Sequence, residues 1–380
     1  MQFTSKLPHV GTTIFTVMSA LANEHGAINL SQGFPNFPSS DRLSDLVCQY
    51  MKKGYNQYAP MAGVPVLREQ LADKVQRLYC ATINPDTEIT ITAGATQAIF
   101  TAIAAFVSSG DEVILIEPAY DSYRPSIEVN GGVPVPYKLS APDYRVDWAA
   151  LGRLVTAHTR MIIINTPHNP TGTVLKAEDL KALENLTAGT DILVLSDEVY
   201  EHLIYDGQQH QSVLRYPGLW ERCLATYSFG KTFHNTGWKI GYCLAPAHLM
   251  EEFRKVHQFN VFSVNTPMQY ALADYLADPE TYLSLDDFFQ QKRDFFLDAM
   301  KGSRLQPLRC EGTYFYLFDY SAISDEPDTK FAKRMTTEWG VAAIPVSVFY
   351  SNGSSDKVIR LCFAKTEETL ERAGALLRKI

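Results

Sequence analysis

The sequence predicts an α/β protein in which a mostly parallel central sheet is covered by helices and a smaller α/β domain is built from both chain ends. Three observations carry that expectation. From about residue 87 to residue 246 one grammar repeats: a short run rich in Ile, Val and Leu, a polar or glycine-rich break, and often a helical pattern. The runs "EITITAG", "DEVILIEP", "RMIIINTP", "DILVLSDE", "CLATYSFG" and "IGYCLAP" are nearly continuous in apolarity instead of alternating, as strands covered on both faces are. The last third reads differently, with strands and helices spaced as a separate small body.

In chain order, Ile14, Val17, Met18 and Leu21 fall at i, i+3, i+4 and i+7, one face of an amphipathic helix. That stretch, "IFTVMSALA", ends like a secretory cleavage site, but it is short and broken by Thr and Ser, which favours the helix. "GVPVLREQLADKVQRLY" (63 to 79) reads as a helix with proline near its first turn, and "KVHQFNVFSVNTPMQYALADYLA" as the start of a long helical connector. Then come a strand, "EGTYFYLFDY", the segment "GVAAIPVSVFY", a strand, "KVIRLCFA", and a last helix, "TEETLERAGALLRKI". Thr366 is its expected cap, with acids in the first turn and bases in the last to complement the helix dipole. The expected division is 1–45 as the N-terminal segment of the small domain, 46–275 as the large domain, and 276–380 as the rest of the small one.

Composition narrows the function. With 380 residues, 46% of them hydrophobic, the chain can bury a large core, and its 42 acidic against 34 basic side chains give a net charge of -8. No Lys/Arg run exists that could track a phosphate backbone or an anionic membrane, so neither nucleic acid nor membrane is an expected partner. The six cysteines are scattered, without a C-x-x-C pair, which predicts buried, reduced thiols in a cytoplasmic protein and no metal site.

In open α/β sheets ligands bind beyond the carboxyl ends of the strands, so the residues just after each apolar run matter most. A Gly-Ala-Thr turn opens a helix after "ITITAG" and offers the free N–H groups of Ala95 and Thr96 as an anion site. The next runs deliver Tyr120, then Asn169 in "TPHNPTG", then Asp197 with Tyr200, then Ser228 and Lys231. Singly, each has a bland reading: a helix cap, a core aromatic, an N-cap acid. Together they suit one ligand, a phosphorylated, planar, N-heterocyclic aldehyde, which is pyridoxal 5'-phosphate.

The segments "NTPHNPTG", "SDEVYEHL" and "SFGKTFHNTGWKIGY", with "LSQGFPNFP" upstream and "IRLCFAK" downstream, resemble the class I/II pyridoxal-phosphate-dependent aminotransferases of fold type I. The resemblance covers nearly the whole chain. "INLSQGFP", "NQYAPMAG" and "CEGTYF" are most similar to the methionine aminotransferase and kynurenine–glutamine aminotransferase branch.

That resemblance implies a role for each residue. Lys231 would anchor the cofactor covalently and, once freed, carry the proton between substrate and cofactor, which a lysine of depressed pKa can do. Asp197 would pair with the pyridine nitrogen, Tyr200 and Asn169 would bond the ring hydroxyl, Asn169 would also touch the substrate carboxylate, and Tyr120 would stack on the ring. Asn165 is expected to support these groups more than to touch the cofactor. The phosphate would lie on Ala95, Thr96, Ser228 and Lys239, a lysine where many relatives carry arginine. Gly230 and Gly237 would relieve the backbone of the loop joining the two lysines. Tyr58 resembles the tyrosine that reaches the phosphate of a neighbouring subunit, which implies a homodimer.

Arg360 lies inside an apolar strand, where an unpaired guanidinium is costly, so it needs a partner. A structural ion pair with an acid would serve; the family position instead makes it the fork for the substrate α-carboxylate. Gly33 would let backbone approach that carboxylate. Phe15 and Phe34 could wall an apolar side-chain pocket or simply pack. Ser263 stands where some relatives carry a histidine from the partner subunit, so their substrate range need not carry over.

The implied activity is transfer of an amino group from an apolar or aromatic L-amino acid, methionine first, to a 2-oxo acid by a ping-pong mechanism. Two alternatives stand beside it. The same cofactor could serve a cysteine-S-conjugate β-lyase, which would release pyruvate without an amino acceptor. An aminotransferase-like sensor domain would need a DNA-binding module for which no chain is left over.

Overall fold

The computed structural model describes residues 4–354 and 356–380. Its centre is a seven-stranded sheet in the order Ile89–Thr92, Gly241–Leu244, Cys223–Ser228, Leu193–Asp197, Thr159–Asn165, Glu112–Glu117, Val133–Lys138. All neighbours run parallel except Gly241–Leu244, which is antiparallel to both strands beside it. The six apolar runs are six of these strands, and Ile89–Thr92, Leu193–Asp197 and Gly241–Leu244 are buried at every position. Helices supply the cover: Leu67, Leu71 and Val75 pack over one face, and Ile99, Ile103 and Phe253 over the other. Each such side chain taken from water contributes roughly 1.5–3 kcal/mol. The seventh strand, "VPVPYK", was not expected. Pro134 and Pro136 cannot donate to a ladder, and the strand sits at the sheet edge, where only Glu112–Glu117 pairs with it.

The chain ends meet in a second body. Ile28–Asn29 pairs in parallel with Val341–Ala342, and a four-stranded antiparallel sheet runs Ile344–Pro345, Val358–Cys362, Phe315–Asp319, Gln306–Pro307. One apolar cluster joins Met18 and Leu30 to Phe296, Phe318, Leu361 and Phe363. The segment "GVAAIPVSVFY" supplies two short strands and the 3-10 turn Val346–Phe349.

Two helical expectations are corrected. The connector is not one long helix: Ala247–Asn260 stops, and Thr266–Leu276 starts afresh with Pro267 in its first turn and the Asn265 side chain accepting from the Met268 N–H at 3.2 Å. The C-terminal helix Glu367–Leu377 is capped by Thr366, accepting from the Thr369 N–H at 3.4 Å, but it ends before its bases, so Arg378 is the C-cap and Lys379 lies outside. Of the thiols expected to be buried, Cys48 and Cys80 are exposed on the surface, and Cys223, Cys243, Cys310 and Cys362 are buried. Among the described residues no helix is long and apolar enough to cross a membrane.

Candidate active site

Strand register assembles the site. Asn165 and Asp197 end adjacent parallel strands as direct partners, and Ser228 ends the next one, opposite Gly241. Gly94, at φ 79°, turns the chain into the helix Ala95–Phe106, whose first N–H groups face the same place. Gly241 is required there, since a Cβ would come within 2.3 Å of the Tyr227 carbonyl oxygen and 3.0 Å of the Ala95 nitrogen. These ends line a cavity of about 250 Å³ shared with Gly33, Tyr120, Asn169, Tyr200, Lys231, Lys239 and Arg360.

Lys231 lies in the short helix Phe229–Thr232 and donates to the Gly33 carbonyl at 3.0 Å and to the Tyr314 hydroxyl at 2.8 Å. Burial lowers its pKa to about 8; the nearby Cys362 opposes that, and the cations Arg360 and Lys239 add to it. About a tenth of it is thus neutral at pH 7. Asp197 moves the other way. Burial raises it to about 6, against the Tyr123 hydroxyl donating at 2.5 Å and the Val199 N–H at 3.3 Å.

Arg360 is fully buried, and its guanidinium lies 3.8 Å from the centroid of the Phe315 ring. It donates to the Asn169 amide oxygen at 2.8 Å and to the Ser31 carbonyl at 3.1 Å, and its Nε has no partner. Among the described residues it forms no ion pair, so the structural pairing considered from the sequence is absent. Burial lowers its pKa to about 10.

Asn165 is occupied with support: its amide donates to the Asp197 carbonyl at 2.8 Å and accepts from the Asn169 N–H at 2.7 Å. Lys239 is exposed, in the left-handed region at φ 55°, with its Nζ 3.6 Å from where a Cβ on Gly94 would stand. A lysine held there is strained by about 1 kcal/mol. The expected relief at Gly237 is absent: its φ is not positive and its Cβ position is open space, whereas at Gly230 a Cβ would come within 2.9 Å of the Thr236 Cα. At Gly33 a Cβ would lie 2.7 Å from the Phe315 ring, which itself calls for glycine there.

Phe15 lines the cavity from the helix Ile14–Glu24, its ring 5.3 Å below the Arg360 guanidinium, while Phe34 is 44% exposed at the rim with Lys365 over it. Tyr58 is not brought in. It is 81% exposed, packs edge-on against Phe262, and lines a separate surface depression with Ser263.

The class I and II aminotransferase family pattern matches residues 25–376. The chain belongs to that family. The aminotransferase is 54% identical to methionine aminotransferase of Escherichia coli (strain K12), over 99% of this chain and 98% of that one. It is 36% identical to human kynurenine–oxoglutarate transaminase 1, over 94% and 93% respectively. Among solved structures, YbdL from Escherichia coli, described as having a methionine aminotransferase function, superposes with a TM-score of 0.98 at 53% identity, each chain fully covered.

Sequence reasoning missed three residues that this aminotransferase brings to the site: Tyr123 on Asp197, Tyr314 on Lys231, and Phe315 under Arg360. Tyr123 lies three positions after Tyr120, a helical spacing that could have flagged it. "EGTYF" read as a strand, and alternation in a strand gave no sign that its first aromatic would reach the neighbouring body.

Proposed function

We propose that the enzyme takes the amino group of an apolar or aromatic L-amino acid, methionine first, and passes it to a 2-oxo acid, with pyridoxal 5'-phosphate as cofactor. The observation that carries this is Arg360: a fully buried cation held only by neutral oxygens, with a free Nε, on the wall of a cavity that also holds Lys231. Such a group fits an α-carboxylate, which would supply the missing negative charge in a bidentate grip.

The cavity also fits the cofactor. Its wall carries the cations Lys231, Lys239 and Arg360 against the single carboxylate Asp197, an excess suited to a phosphate plus a substrate carboxylate. Ala95, Thr96, Ser228 and Lys239 would hold the phosphate, Asp197 the pyridine nitrogen, Tyr120 the ring face, and Tyr200 with the Asn169 amide nitrogen the ring hydroxyl. When bound, the cofactor supplies the carbonyl that accepts the amino group and the conjugated ring that spreads negative charge from the α-carbon. Lys231, neutral part of the time, holds and returns the α-proton. Arg360 fixes the substrate by its carboxylate, and Phe15 and Phe34 give its side chain an apolar wall. We propose further that the protein is a cytoplasmic homodimer in which Tyr58 completes the partner's phosphate site.

Arg360→Ala is expected to raise the KM for methionine at least tenfold while the dissociation constant for pyridoxal 5'-phosphate changes less than threefold. Steady-state kinetics and a cofactor titration read the two values, and equal losses in both would overturn the assignment. A screen of single amino acids, following the visible band of the loaded enzyme, should rank methionine and aromatic donors above aspartate.

A further inference from the structure

Tyr314 is a fully buried phenol in the turn before the strand Phe315–Asp319, and the proposed chemistry gives it no task. Its hydroxyl donates to the Gly33 carbonyl at 2.6 Å and so turns a lone pair to Lys231, which donates to it at 2.8 Å; the same Gly33 carbonyl accepts from Lys231 at 3.0 Å. The amine is therefore offered two acceptors among the described residues. A neutral amine has two N–H groups, both satisfied by this pair, and its lone pair is left for chemistry. An ammonium has three, and the third turns to the cavity with no acceptor among the described residues.

We propose that Tyr314 and the Gly33 carbonyl form a cradle that positions the released amine of Lys231 by two of its N–H groups, so that in the neutral form its lone pair faces the cavity as a base. The proposal rests on the reading of Lys231 as the reactive amine. It makes Tyr314 a positioning residue, acting through Lys231. The cradle is built at the junction of three chain segments: Gly33 from the N-terminal stretch, Tyr314 from the C-terminal body and Lys231 from the central one. The same contact fixes Gly33, because a Cβ there would strike the Phe315 ring beside Tyr314. The other charged or titratable groups facing the amine are Asp197 on its strand end, Tyr200 after it, Arg360 and Cys362 on the strand Val358–Cys362, and Lys239 on the loop. Burial and the cations among them disfavour the ammonium, whereas Cys362 and Asp197 favour it.

The test compares full-length unsubstituted protein with Tyr314→Phe. The pH dependence of covalent capture of pyridoxal 5'-phosphate, read by absorbance and by mass after borohydride reduction, gives the titration point of Lys231. Kinetics with methionine and pyruvate give kcat and KM. Loss of one acceptor removes more from the charged form than from the neutral one, so the titration point should fall by about one unit. Loss of position should cut kcat roughly tenfold or more with the KM for methionine within about twofold. A variant that melts lower but keeps the titration point and kcat would reduce Tyr314 to a packing role and overturn the proposal. The unsubstituted protein decides independently of whether the variant folds: half-titration near the ordinary lysine value of about 10.5 would mean a fully satisfied ammonium and also overturns it. Capture that persists in Lys231→Ala would instead break the reading of Lys231 itself.

Discussion

Two buried lysine–carboxylate neighbourhoods lie within one short segment, "SDEVYEHL", and they are built to opposite ends. Glu201 meets Lys74 in a closed pair, both side chains about 95% or more buried. Tyr79 donates to the same carboxylate, as does Tyr242 at 3.1 Å, while Lys74 also donates to Tyr242 at 3.0 Å. Burial raises the Glu201 carboxyl, but Lys74, His202 and these donors outweigh it and hold it well below the usual carboxylate range. Four residues earlier, Asp197 has one phenol and one backbone N–H, and its pKa rises to about 6. Lys231 is bonded to neutral oxygens instead of to that carboxylate. The first pair has satisfied its charges and holds the fold; the second leaves them unsatisfied, so that a ligand can complete them.

The largest effect should come from breaking the closed pair. Lys74→Met strands Glu201 in the core and is expected to cost about 3 kcal/mol of stability or more. Melting should show the loss to be greater at pH 8 than at pH 5, because the stranded carboxyl can take a proton, and Lys74→Met/Glu201→Gln should recover most of it. The kcat of the folded fraction should stay within about twofold. Lost turnover at full stability would break the comparison, since it would make Lys74 part of the chemistry.

A smaller effect of opposite character belongs to Asp197. Its folded pKa of about 6 lies above the ordinary 3.8, so the folded protein binds the extra proton between those values. The stability it contributes is present below about pH 4 and lost as pH rises through 6, by roughly 3 kcal/mol at most. Cofactor-free Asp197→Asn should therefore melt higher than the unsubstituted protein at pH 8 and level with it at pH 4. It should also retain pyridoxal 5'-phosphate less well. Equal melting at both pH values would show that the carboxylate is already satisfied without a ligand.

The central sheet was legible because its strands are buried on both faces, and continuous apolarity is hard to mistake. Val133–Lys138 escaped because an edge strand needs only half its donors, which lets Pro134 and Pro136 into it. Lys231, Asp197, Asn169 and Arg360 were legible because each is a polar residue set where an apolar run ends or within one. Tyr123, Tyr314 and Phe315 were not, because a buried aromatic in an apolar neighbourhood is the expected core residue, and only three-dimensional contact separates a phenol that packs from one that donates. The same holds for Gly33, whose requirement comes from a ring nearly 300 positions away.

Tyr123 gives the finest test of the comparison, because its hydrogen bond moves Asp197 toward the behaviour of Glu201. Its hydroxyl donates to the carboxylate at 2.5 Å from the helix Tyr123–Val129 and favours the ionised form. Tyr123→Phe removes one hydrogen bond to a charged group and leaves the ring packing in place, so stability should fall by only about 1 kcal/mol in the loaded enzyme. The Asp197 pKa, already pushed up by burial, should climb by about one further unit. If Asp197 must be ionised to hold a protonated ring nitrogen, the acid limb of kcat/KM against pH that Asp197 sets should move upward by the same amount. Activity would then drop several-fold at pH 6 and recover by pH 8. An acid limb that does not move would mean that the bound cofactor, and not Tyr123, sets the charge of Asp197, and the contrast with Glu201 would then vanish once the cofactor is bound.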